Sequence, residues 1–158
     1  MTEAQSAWNS GSAWAQIEAQ HAARDRLANE ALPANKTALF DALAASGVTS
    51  VVVTFNGCGN SGQIESIDAF DGEGVVNLPT VTVEIATPIW DGSALLRETL
   101  PLHRAIEALA YAFLEETHDG WEDNEGAFGE FAFIVAERTI ELDYNERIET
   151  SEHHSHSW

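Results

Sequence analysis

The residues from His118 to Gly129, HDGWEDNEGAFG, gather four carboxylates, three glycines and two aromatic rings in one short segment. Hard divalent cations take oxygen ligands, and Asp119, Glu122, Asp123, Asn124 and Glu125 offer them within a few positions. An ion held by Asp119, Glu122, Asp123 and Glu125, calcium or magnesium by its ligands, with His118 as base, would make a metal-assisted hydrolase of loop 118–129. The spacing is not that of an EF-hand, because Trp121 interrupts the alternation that such a loop needs. The same carboxylates could meet a basic protein, with Asp119, Trp121, Glu122, Asp123, Glu125 and the nearby Glu130 as the contact residues. They could also face only water, in a turn shaped by Asn and Gly. Large aromatic residues such as Trp121 and Phe128 serve either as interface anchors or as buried packing.

A second segment, Gly57-Cys58-Gly59-Asn60-Ser61-Gly62, lacks the Gly-Lys-Ser/Thr of a phosphate-binding loop and is not a nucleophile elbow. Between two strands, Gly57, Gly59, Asn60, Ser61 and Gly62 read as a hairpin turn with positive-φ positions. Neither Cys58 nor Ser61 has a base fixed beside it by local sequence, as a nucleophile would need. His153, His154 and His156 lie within four residues and could bind a transition metal, but they fall in a polar tail.

Charge narrows the classes. One Lys and six Arg stand against 26 acids, for a formal net charge of −19. Such a surface repels phosphate, so direct nucleic-acid binding and anionic membranes are disfavoured, and basic partners or divalent cations are attracted. The acids concentrate toward the end of the chain: residues 1–47, 48–98 and 99–158 carry net charges of −2, −6 and −11. Between Glu115 and Glu130 there are seven acids and neither Lys nor Arg. Cys58 is the only cysteine, which excludes an intramolecular disulfide and points to a reducing compartment. The first residues carry no basic, apolar leader, and no apolar run approaches a bilayer's thickness, so a cytoplasmic protein is expected.

The elements that must position these residues follow from periodicity. Ala4–Ala31 is rich in helix formers, with its dependable part starting near Ser10 and residues 1–10 expected to be loose. Pro33 suits the first turn of a second helix, closed by Ser46-Gly47. Val48–Asn56, Gln63–Phe70 and Leu78–Thr87 read as strands. Ile64, Ser66, Asp68 and Phe70 alternate on one face of the second strand, with imperfect polarity. Thr99 is the expected N-cap of a helix to about Thr117. Phe131–Val135 and Thr139–Ile148 then read as a β-hairpin. The expected fold is α+β: a mostly antiparallel sheet of about five strands with helices packed on one side, in the order α-α-β-β-β-α-β-β, as one domain over residues 1–158 with a polar tail at 150–158.

FNGCGNSGQIESI, HDGWEDNEGAFGEF and IELDYNERIE together resemble a family of uncharacterised bacterial proteins. Its members share a GxGxSGxI turn, a GWExNxGxxGxF segment, an NERF-like stretch and a His-containing tail, and many belong to plasmids and other mobile elements. The resemblance covers residues 48–158, leaves the first helix less constrained, and sharpens the domain limits and the pairing of the motifs. It implies no activity. Asn60 stands where the family motif often has Asp, which removes a carboxylate from the turn. The expected function is that of a non-enzymatic acidic interaction protein of a mobile element, without a cofactor, whose partner is a basic protein, with nucleic-acid-binding proteins among the candidates. The metal-assisted hydrolase is the alternative, and a structural subunit kept soluble by its acids is a third reading.

Overall fold

The computed structural model describes residues 2–59, 61–118, 120–123, 125–148 and 151–158, with side chains from Ala13 onward. The elements run α1 (Thr2–Ala45), β1 (Ser50–Cys58), β2 (Ser61–Asp71), β3 (Gly74–Val76), β4 (Thr82–Pro88), β5 (Leu95–Pro101), α2 (Leu102–Thr117), β6 (Ala127–Ile134) and β7 (Thr139–Glu146). The class is α+β. A five-stranded antiparallel sheet has the order β3-β2-β1-β6-β7, and β4 and β5 form a separate two-stranded sheet. The chain divides into two compact units: Met1–Ala42 with Pro79–Ala105, and Leu43–Leu78 with Ile106–Trp158.

In the first unit, the two helices expected before β1 are one. Proline inside a helix lacks a donor and crowds the preceding turn, so a break at Pro33 was the natural expectation. The helix continues because it is anchored on both sides of the proline. Ala31 is buried ahead of it, and Leu39 and Phe40 are buried beyond it. The buried amide of Asn35 ties it to β4: its Nδ2 donates to the Ala86 carbonyl at 2.8 Å, and its Oδ1 accepts from the Ala86 N–H at 2.9 Å. One side chain thereby satisfies both peptide groups of a residue in β4. The helix expected to start at Thr99 starts at Leu102 instead. Leu95–Pro101 is recruited as β5 by a continuous ladder with β4, a tertiary pairing that outweighs the local capping signal.

In the second unit, β1 lies at the centre of the sheet. Val51, Val53 and Phe55 of β1 and Phe131 and Phe133 of β6 are buried on one face. α2 covers that face: Phe113 meets Phe131 with ring centroids 6.2 Å apart, and Ile106, Ala110 and Leu114 are buried. β2 carries a bulge. Thr54 pairs with Ser66, but Phe55 pairs with Ile64, which leaves Glu65 extra. The slip turns Ile64 inward together with Ile67 and Ala69, while Ser66, Asp68 and Phe70 face outward. The imperfect alternation of the sequence is this bulge. Tyr111 of α2 completes it, its hydroxyl accepting the Ile64 N–H at 2.9 Å.

Candidate functional site

The glycine-rich turn and the acidic segment are neighbours. β1 and β2 close through the pair Cys58–Ser61, with Gly59 at φ +61°. Gly57 and Gly62 sit opposite one another on the buried face, at the end of the sheet. Trp121 lies over both. A Cβ on Gly57 would come within 2.7 Å of the indole, and one on Gly62 within 2.5 Å. Trp121 is itself buried, with its ring edge-on to Phe55 at 5.6 Å. The segment reaches this position through two successive turns, in which Asp123 N–H donates to Gly120 O and Gly126 N–H to Asp123 O, both at 3.0 Å. Gly126, at φ +81°, lies so close to the Gly57 carbonyl that no side chain fits. At the near end, His118 stacks on Tyr144 of β7, the rings 3.6 Å apart and within 4° of parallel.

Arg147, just beyond β7, binds the third motif to the other two. Its guanidinium donates to Gly57 O at 2.8 Å, to Asn56 Oδ1 at 2.6 Å and to Ala127 O at 3.4 Å, and lies 4.9 Å over the Phe128 ring. Its backbone N–H donates to Gly126 O at 3.0 Å. Periodicity and charge density did not single this residue out. The signal was present: a base within the acidic IELDYNERIE stretch, in a chain with only seven Lys and Arg.

Three conspicuous motifs are therefore one packed knot. Its glycines make room for an indole, and its arginine is spent on carbonyls. The acids lie around it. Asp123 and Glu125 are exposed and Glu122 is half-buried; Asp119, Asn124 and Asn60 lie outside the described residues. Among the described residues, no three of His, Cys, Asp and Glu are grouped as metal ligands would be. His153, His154 and His156 are exposed in an irregular tail, as is Trp158.

The larger carboxylate array is on the outward face of the sheet. Pairing places Asp68, Val52, Ala132 and Glu141 in one row and Ser66, Thr54, Glu130 and Asp143 in the next. Glu65 joins them through its Oε1, which accepts from Asn56 Nδ2 at 3.3 Å. Glu65, Asp68, Glu130, Glu141 and Asp143 are all exposed. None of the residues in these two rows is basic. Glu130 and Asp143 stand directly opposite each other, a like-charge pairing that costs stability. Of these five acids only Glu130 was foreseen as a contact residue. The others are dispersed along the sequence and only strand register brings them together.

A model described as a family of unknown function (DUF6878) matches residues 31–158. The chain belongs to this family. The family region begins at Ala31, the first buried residue of α1 among those with described side chains, and takes in the whole knot of glycines, Trp121 and Arg147. No curated protein and no solved structure matches the chain. Among the described residues, no helix is long and apolar enough to cross a membrane.

Proposed function

We propose that this family member is a non-enzymatic interaction protein of a mobile element, whose carboxylate surface receives a basic protein that otherwise binds nucleic acid. The observation that carries the reading is the outward sheet face, where five exposed carboxylates share neighbouring positions without a base among the two paired rows. The loop acids Glu122, Asp123 and Glu125, beside the buried Trp121, add to the negative charge of the same unit. Oriented charge of one sign steers an oppositely charged partner and can compete with nucleic acid for a basic groove. The resemblance of the three motifs to proteins of plasmids and mobile elements supplies the setting.

The test is titration of the full chain against a panel of basic nucleic-acid-binding proteins, over a range of salt and with DNA as competitor. Binding that weakens with salt and is displaced by DNA supports the reading. Absence of binding to every member of the panel at low salt removes it.

A further inference from the structure

β7 is the outer strand of the five-stranded sheet: Thr139–Glu146 pairs with β6 along its whole length, and no strand pairs with its other side among the described residues. An edge of this kind presents backbone donors and acceptors that can accept a further strand. Side chains alternate along it. Glu141 and Asp143 project outward beside Glu130, while Ile140, Leu142 and Tyr144 project to the other face and remain half-exposed at the rim of the core.

We infer that β7 is a docking edge for an extended segment of a partner, with basic residues at alternate positions and apolar residues between them. The inference rests on the basic-partner reading and specifies how that partner binds. A strand laid along β7 sets every second side chain beside Glu141 and Asp143, where a Lys or Arg relieves the repulsion between Asp143 and Glu130. The intervening side chains fall beside Ile140, Leu142 and Tyr144, where apolar groups cover half-exposed surface. A second copy of this chain does not fit, because antiparallel self-pairing of β7 would set its own acids against one another.

The experiment uses the full chain and three fluorescent peptides. One alternates Lys and Val; one has the same composition with the lysines grouped at one end; one alternates and is N-methylated at every second amide, on the side that would face β7. The alternating peptide is expected to bind about tenfold more tightly than the grouped one, with backbone amide signals shifting along residues 139–146. N-methylation is expected to abolish its binding. Glu141→Lys with Asp143→Lys should weaken binding by about tenfold, whereas the exposed Glu18→Lys should not. If grouped and N-methylated peptides bind as well as the alternating one, the edge is not the site, although a basic partner remains supported. If neither the peptides nor any basic protein binds, both proposals fall. The N-methylated peptide decides the matter even if the doubly charge-reversed variant does not fold.

Discussion

The indole of Trp121 occupies the space that a side chain on Gly62 would need: a Cβ there would fall 2.5 Å from Cη2 of the ring. Gly62→Ala must therefore displace a buried indole or shift the strand, and overpacking of this kind costs about 1–3 kcal/mol. Trp121→Ala leaves a cavity beside Phe55 and costs about 3–5 kcal/mol. The two losses share one cause, so in the double variant the alanine at position 62 should add little to the loss from Trp121→Ala. Urea unfolding of the cycle measures the coupling. Strict additivity would mean that the turn and the acidic loop are not packed against each other.

Arg147→Lys tests whether the third motif acts through geometry or through charge alone. The guanidinium reaches three acceptors on two strands as well as the Phe128 ring. A lysine keeps the charge but not the planar fork. The variant is expected to lose about 1.5–3 kcal/mol, the scale of a hydrogen bond to a charged group. It should also raise amide exchange at Gly57 and Gly126. A lysine variant as stable as the parent would show that the carbonyls do not need the fork.

The α+β class and the final hairpin were legible because their periods are strong and their turns local. The knot was legible only as separate motifs. Which glycine faces which ring depends on a pairing across about sixty residues, and no local signal carries it. Pro33 and Thr99 misled for one reason: each is a sound local boundary signal that tertiary contacts override, through Asn35 on Ala86 and through the β4–β5 ladder. The outward carboxylate face was hidden because Glu65, Asp68, Glu130, Glu141 and Asp143 come from three strands. The uneven alternation of β2 was legible as a fault and became informative only when the bulge at Glu65 explained it.

The opposed pair Glu130 and Asp143 predicts a stabilising substitution. Like charges at directly opposite positions of an antiparallel pair are unfavourable, and removal of one should gain roughly 0.2–1 kcal/mol. Glu130→Gln and Asp143→Asn should each raise the urea midpoint at low salt. The gain should shrink as salt screens the pair in the parent chain. A loss of stability in both variants would show that these carboxylates make favourable contacts instead.

Asn35 is the buried polar residue on which the course of α1 past Pro33 depends. Asn35→Ala leaves both the N–H and the carbonyl of Ala86 without their partner, and an unsatisfied buried group costs about 1–3 kcal/mol. Asn35→Asp keeps the acceptor but turns a carboxylate oxygen toward the Ala86 carbonyl, so it should be at least as damaging near neutral pH. Thermal unfolding of both variants distinguishes this tie from simple packing. An aspartate variant with parental stability would show that Ala86 does not require the amide donor.

Tyr144 makes stability depend on pH in the alkaline range. Burial, and then the charges of Glu146 and Glu122, hold its phenol above the ordinary value of 10.0. The folded state therefore retains this proton where the unfolded state has released it. Below the unfolded value both states are protonated and Tyr144 contributes no slope. As pH rises from there through the folded value, the unfolded chain binds fewer protons than the folded one, and stability falls. Tyr144→Phe removes the ionisation while keeping a ring for His118 to stack on, so its unfolding midpoint should decline less steeply over that window than the parent's. A tyrosinate absorbance titration of the folded parent, with the variant as reference, should show Tyr144 ionising above 10.0. An ordinary value, or identical alkaline slopes for parent and variant, would mean that the phenol is neither desolvated nor opposed by the neighbouring carboxylates.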